Sequence, residues 1–224
     1  MSIRALSATA IILAILLSVS CNRRSEGFTD EEMSLINGAD SIMRVLTIED
    51  SLDYAALRSI STDIPAEALS SPEYERLSRL LVETVTHPSQ DGVGIAGPQV
   101  GLKRRIIAVQ RFDKPGEPFE VYPNIRIVWM SDSLAYGPEG CLSVPERRGE
   151  VLRSQEIVIE YVDTEFINEA DDKLQGRQRS EGLHRRKGLA APLTVSRDTV
   201  KGFTAVIFQH ECDHLDGVLY IDRL

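Results

Sequence analysis

The sequence predicts a single α+β domain. A strongly amphipathic helical stretch precedes a series of short strand-like runs, a second helical stretch follows them near the carboxyl end, and no segment repeats another. With the amino-terminal segment set aside, about 200 residues remain, a single-domain length, and 42% hydrophobic residues are ample for one core. The net charge of −9 speaks against general affinity for nucleic acid or anionic membranes.

At the amino end, Met1 to Arg4 is short and basic and Ala5 to Val19 is almost wholly apolar. Ser18-Val19-Ser20-Cys21 then resembles a loose lipobox, the cleavage and lipidation site of bacterial lipoproteins. Residues 1–21 therefore read as a lipoprotein-type signal peptide or membrane anchor, residues 22–41 as a linker, and residues 42–224 as the folded domain. The expected location is at a membrane through an amino-terminal lipid on Cys21, after export. Arg23 and Arg24 support the competing topology, an anchor with the domain facing the cytoplasm. With Cys21 lipidated and Cys141 engaged elsewhere, Cys212 has no partner for a structural disulfide within the chain.

Along the domain, Tyr74, Leu77, Leu81 and Val85 recur on one face and predict a helix over Pro72 to Thr86. Strand-like runs follow at Arg105 to Gln110, Ile125 to Met130 and Glu156 to Val162. Between Thr164 and Thr199 lies a polar stretch with the basic runs Gln175 to Arg179 and His184 to Lys187, read as a solvated surface insertion. A second helix is predicted over Thr199 to Asp216, with Gly217 as its stop and a strand-like Val218 to Asp222 behind it.

That second helix carries Gln209-His210-Glu211-Cys212-Asp213-His214. Residues four apart share a helix face, so both imidazoles point at one spot with Glu211 beside it, the arrangement of a metal site with its own base. A catalytic site of this kind takes a third protein ligand and keeps one open position. Tyr220 stands where a metzincin protease would place a third His, and no Glu follows His214, so the third ligand lies upstream. His87, His184, carboxylates and Cys141 are the candidates. Cys141, in Pro138-Glu139-Gly140-Cys141-Leu142-Ser143-Val144-Pro145, is the best of them, because a thiolate is a strong ligand for a borderline-soft ion.

Gly92-Val93-Gly94-Ile95-Ala96-Gly97-Pro98-Gln99 formally matches a dinucleotide fingerprint but follows a helical pattern rather than a strand, which excludes that use. Its glycines allow close backbone approach, and the Gln99 amide can donate to an oxygen gaining negative charge.

In their order and spacing, G-V-G-I-A-G-P-Q, E-G-C-L-S and Q-H-E-C-D-H-L resemble peptide deformylase, the enzyme that removes the N-formyl group from nascent bacterial polypeptides. The resemblance runs from about Ile42 to Leu224. It implies mixed or antiparallel sheets around a central helix carrying the His-Glu-x-x-His motif. It also implies Cys141, His210 and His214 as metal ligands and Glu211 as general base. Gln99 and the Leu142 backbone N–H would be oxyanion donors, and Gly94 and Arg148 substrate contacts. Phe203, Ile207 and Cys212 would line an apolar pocket, with an Asp213–Arg153 ion pair behind the site. One divalent ion is implied, Fe(II) as the native one, with Zn(II) or Ni(II) as realistic occupants outside a reducing compartment. The implied partner is an N-formylmethionyl peptide. Because the sequence stops at Leu224, docking on the ribosome through a C-terminal helix is not expected. Two other readings stay open: a non-catalytic formyl-peptide-binding lipoprotein, and a metallo-peptidase or amidase with a different acyl substrate.

Overall fold

The computed structural model describes residues 27–164 and 193–224. The signal or anchor with Cys21, and most of the polar insertion with His184, lie outside the described residues. Among the described residues, no helix is long and apolar enough to cross a membrane.

Thr29 opens helix α1 (Asp30–Gly38) with a capping box: its Oγ1 accepts from the Glu32 N–H at 3.2 Å, and the Glu32 carboxylate accepts from the Thr29 N–H at 2.8 Å. Ile36 is fully buried, and Glu32 pairs with Arg104 at 2.6 Å. The segment expected as a bare linker, residues 22–41, thus contributes a packed helix from Asp30 onward. Helices α2 (Ser51–Leu57) and α3 (Ala66–Leu69) are short and seat Leu57, Ala68 and Leu69 in the interior. Helix α4 (Pro72–Thr86) starts where expected, with Ser71 as cap and Pro72 in the first turn, and buries Tyr74, Leu77, Leu81 and Val85.

The strands are β1 (Gly94–Ala96), β2 (Ile106–Gln110), β3 (Phe119–Pro123), β4 (Arg126–Met130), β5 (Leu134–Cys141), β6 (Val144–Ser154), β7 (Glu156–Val162) and β8 (Val195–Lys201). They form sheets of order β1-β2-β3 and β4-β7-β8 and the hairpin β5-β6, with every strand pair antiparallel. Parallel pairing occurs at the isolated bridge between Thr62 and Arg104. Strand β2 separates two cores: Ile106 and Ala108 pack with α4, while Ile107 and Val109 pack toward the carboxyl-terminal helix α5 (Gly202–Leu215). This alternation is what a strand covered on both faces requires.

Helix α5 lies among the sheets and is buried on nearly all sides, so its polar residues are functional or paired rather than solvated. It begins at Gly202 and not at Thr199 as expected. Thr199 and Val200 instead pair with Val158 and Ile157, and the turn into the helix falls on Gly202 at φ 60°. The expected strand at Val218 to Asp222 is a 3-10 turn over Tyr220–Arg223, closed by the Asp222 carboxylate on the Leu219 N–H at 2.9 Å. Gln209 of α5 ties the end of β6 in place, accepting from the Ser154 N–H at 3.1 Å and donating to the Ser154 carbonyl at 2.8 Å. The hairpin that carries Cys141 is thereby fixed against the helix that carries the histidines.

Candidate metal centre

Cys141 ends β5, at a shift of register that turns the strand into the tight Leu142-Ser143 connection to β6. His210 and His214 face it from α5. The donor atoms of Cys141, His210 and His214 all lie within 4.8 Å of one another, with Cys141 Sγ 3.2 Å from His214 Nε2. An ion bound tetrahedrally at about 2.1 Å from nitrogen and about 2.3 Å from sulfur sets its ligand atoms about 3.6 Å apart. The three side chains therefore fit one divalent ion. His87, the other described histidine, caps the end of α4, bonded to Ser89 and away from this cluster.

His210 is oriented from behind. Its Nδ1 meets Glu139 Oε2 at 2.8 Å, which leaves Nε2 to face Cys141 and His214. Glu139 is gripped by Arg153 at 2.7 and 3.0 Å, and Arg153 also bonds Asp213 at 2.6 Å, the ion pair expected behind the site. Arg223 closes the chain on Asp213 at 2.5 Å. Burial alone would raise Glu139, but its bonds to His210 and Arg153 bring it down to about 2, so it stays an anion. Burial opposes charge on His210, yet hydrogen bonds to Cys141 and Glu139 outweigh it and push that ring's pKa up. On His214, burial pushes it down.

Glu211 stands beside the ligands, with Oε2 buried and without a hydrogen-bond partner among the described residues. Burial raises its carboxyl to about 7. Such a group can hold a proton near neutrality and give it up again. Gly94 of β1 presses on it: a Cβ there would lie 2.5 Å from Glu211 Oε1 and 2.9 Å from Ile207 Cγ2. Gly97 is equally constrained, since its Cβ would meet the Arg104 and Leu102 carbonyls at 2.7 and 2.8 Å. The 3-10 turn Gly97–Val100 holds Gln99, whose Oε1 accepts from the Ala96 N–H at 2.8 Å. That bond turns Nε2 toward Cys141 Sγ at 3.5 Å and Ser143 Oγ at 3.2 Å.

Gly94, Gln99, Glu139, Cys141, His210 and Glu211 border one cleft of about 700 Å³. Phe203, Val206 and Ile207 give it an apolar wall, and Arg148 stands on its rim, opposite Gly140 in the hairpin register. Cys212 does not reach it. It points to the other side of α5, into the core with Ile107, Ile157 and Leu215, because on a helix it lies away from the face of Ile207 and Glu211. Burial pushes its thiol up, which keeps it protonated.

The family model described as polypeptide deformylase matches residues 42–178 and 193–224. The chain belongs to the peptide deformylase family. It is 31% identical over 175 residues to the peptide deformylase of Leptospira biflexa, a match covering 75% of this chain and 82% of that one. It is 34% identical over 186 residues to that of Caulobacter vibrioides, covering 82% and 88%. The solved structure of the Met-Ala-Ser-bound class I type b peptide deformylase from Acinetobacter baumannii superposes with a TM-score of 0.62 at 27% identity, covering 82% of this chain and 98% of that one. As a peptide deformylase the chain is a metal-dependent hydrolase.

Sequence reading missed two residues that support this deformylase site, Glu139 on the cleft wall and Ser143 buried behind it. Glu139 was quoted within the Cys141 motif without a role, and its signal was an acid two positions before a ligand on a Gly-rich loop. Ser143, fully buried and bonded to Gln99, follows Cys141 in the same motif.

Proposed function

We propose that the cleft hydrolyses the formyl amide of N-formylmethionyl peptides with Glu211 as general base and acid, and that Cys141, His210 and His214 hold the divalent ion. The observation that supports this best is the juxtaposition of the three-donor cluster, within 4.8 Å, with a buried and unpaired Glu211 at the floor of an open cleft. When bound, the ion supplies Lewis acidity and lowers the pKa of a water toward neutrality. Glu211 takes the proton of the attacking water at its carboxylate and returns it to the departing amine nitrogen, so that formate and a free amino terminus leave. Gln99 Nε2 and the Leu142 backbone N–H donate to the oxyanion of the tetrahedral adduct, a donor of this kind contributing about 3 kcal/mol.

Strand β1 is the edge of its sheet, and its outer side can take the substrate backbone as a further strand along Gly94. Backbone pairing suits an enzyme that accepts many residues after the methionine. The Acinetobacter structure is described as bound to Met-Ala-Ser, a peptide of the product type. Phe203, Val206 and Ile207 give the methionine side chain its apolar surface, and Arg148 on the rim meets the substrate chain.

Fe(II) is the native ion in this proposal, with Zn(II) or Ni(II) as alternative occupants. The basic start, the apolar run and Cys21 at its end support a membrane-associated, exported lipoprotein, and Arg23 and Arg24 support the alternative of a cytoplasm-facing anchor. Mass spectrometry of the mature chain decides that point, an unprocessed and unlipidated Met1 terminus excluding the lipoprotein.

The test of the chemistry is formate release from a formyl-methionyl peptide by protein loaded without oxygen with each ion in turn. Glu211→Ala should lose roughly 100- to 10,000-fold in kcat while retaining the ion. Turnover that survives this change, or a preference for acetylated or internal amides, overturns the proposal.

A further inference from the structure

The β5-β6 hairpin changes register where it borders the cleft. Cys141 lies opposite Val144, but Gly140 lies opposite Arg148, so Pro145, Glu146 and Arg147 stand outside the ladder as an enlarged bulge, with Glu146 at φ 58°. Bulges re-aim side chains beside active sites. Here the bulge brings Glu146, Arg147 and Arg148, all exposed, to the cleft that holds Cys141, His210 and Glu211. Arg148 lies across bare backbone: a Cβ on Gly140 would sit 3.6 Å from both its Cγ and its Nη1.

Charge pairing elsewhere in the molecule sets these two arginines apart. Among the described residues, every other arginine forms an ion pair with a carboxylate, except Arg76, which donates to the Ile36 and Ala39 carbonyls. Arg147 and Arg148 have no such partner there, although the chain carries 34 acidic residues against 25 lysines and arginines. Glu146 and Asp91 border the cleft as well, and neither forms an ion pair with them. An unpaired guanidinium presents a planar fork of donors that matches a carboxylate in geometry. Two of them on one cleft of a net-negative protein create a local positive field where a peptide enters.

We infer that Arg147 and Arg148 make the cleft selective for formylated peptides that carry an acidic side chain in one of the two residues after the methionine. This deepens the proposed deformylase reading and rests on it. With the formyl carbon at the metal centre, the second and third Cα atoms of an extended peptide lie about 6 and 9 Å further along the chain. Arg148 borders the cleft opposite Gly140, one position from the ligand Cys141, which places its long side chain within reach of those residues. Backbone pairing along Gly94 is blind to side chains, so the two charges supply a selection that the strand edge does not.

Four peptides test it with the full, metal-loaded chain: formyl-Met-Glu-Ala, formyl-Met-Ala-Glu and the counterparts with Gln in place of Glu, all as carboxyl-terminal amides so that the Glu side chain is the one charge. At low salt at least one Glu peptide should exceed its Gln counterpart by about 3- to 10-fold in kcat/KM, the scale of one or two exposed ion pairs. The difference should lie in KM and not in kcat, and it should shrink toward one as salt is added. Arg147→Gln and Arg148→Gln should each lower the Glu-to-Gln ratio, and the double variant should bring it to about one with metal content unchanged. Equal kcat/KM within both pairs of peptides, or a preference that outlasts the double substitution, overturns the inference. If none of the four is turned over, the deformylase reading itself fails, and calorimetric titration of the same peptides into the metal-loaded chain still decides the matter: tighter binding of a Glu peptide supports the inference and equal binding overturns it.

Discussion

Gly94 has no room for a methyl group, because its Cβ would lie 2.5 Å from Glu211 Oε1 and 2.9 Å from Ile207 Cγ2 in a packed interior. Gly94→Ala should therefore displace the Glu211 carboxylate and leave the three ligands in place. Displacement of a reacting group by about 1 Å costs on the order of 100-fold in rate. The expected result is a kcat loss of that size with metal content unchanged, read by steady-state formate release beside elemental analysis; an unaltered kcat would show that β1 gives way instead. Glu139 acts one step further back. Glu139→Gln keeps the shape but removes the anion that orients His210 and balances Arg153. Loss of such a partner typically lowers metal affinity roughly 10- to 100-fold, which a competitive chelator titration measures. Equal affinity in the two proteins would mean that packing alone holds the His210 ring.

At the level of elements, α1 separates a connector from a structural part. Ile36→Ala should cost about 2–5 kcal/mol if the helix belongs to the cooperative unit, because a fully buried side chain is removed from the core beside α4. Urea unfolding gives the answer, and an unchanged midpoint would return residues 30–38 to the role of a linker. This helix was hidden in the sequence because its run Asp30 to Gly38 is mostly polar and presents one fully buried residue, although Thr29 and Glu32 already stood at capping-box spacing. Helix α4 was legible because its apolar period is local. The β5-β6 hairpin was not, since Pro138, Gly140, Gly149 and the charged Glu146 to Arg148 break the alternation, and its position is set by Gln209 on a distant helix. The site divides in the same way. Cys141, His210, His214 and Glu211 each sit in a short motif whose chemistry is visible on its own. Glu139 acquires its role only when Arg153 and His210 converge on it, and Cys212 was assigned to the cleft because its helix face had been read without the core around it.

Across the whole molecule, one buried cation joins the two three-stranded sheets and α5. Arg111 is 2% exposed at its side chain and bonds Asp113 after β2, Tyr122 of β3 and Asp198 of β8, with its guanidinium 5.7 Å from the Phe208 ring of α5. The Arg111 hydrogen bond holds Asp113 below its ordinary carboxyl value. Burial would raise Glu120, but bonds to Lys114 and Tyr122 and the Arg111 charge leave it lowered too. Asp222, bonded to Arg58, shares this sign, and so does Glu32, where burial is outweighed by the bond to Arg104. Carboxyls with a depressed folded pKa contribute stability that is fully present above their unfolded values, 3.8 for Asp and 4.5 for Glu, and is lost as pH falls through the folded values. The contribution of these groups to the thermal midpoint should therefore be level above about pH 5 and fall steadily below it. Arg111→Met removes the cation and leaves Asp113, Glu120 and Asp198 facing one another. The variant should lose about 1–3 kcal/mol at neutral pH, because the carboxyls that lose Arg111 remain a quarter to a third exposed and Glu120 keeps its pair with Lys114. Acid then protonates Asp113 and Glu120, so the gap to the unaltered protein should narrow between about pH 5 and pH 3. Melting curves of both proteins across that range test it: a gap that stays constant would mean that Arg111 stabilises the fold by packing on Phe208 and not by gathering the carboxylates of the two sheets.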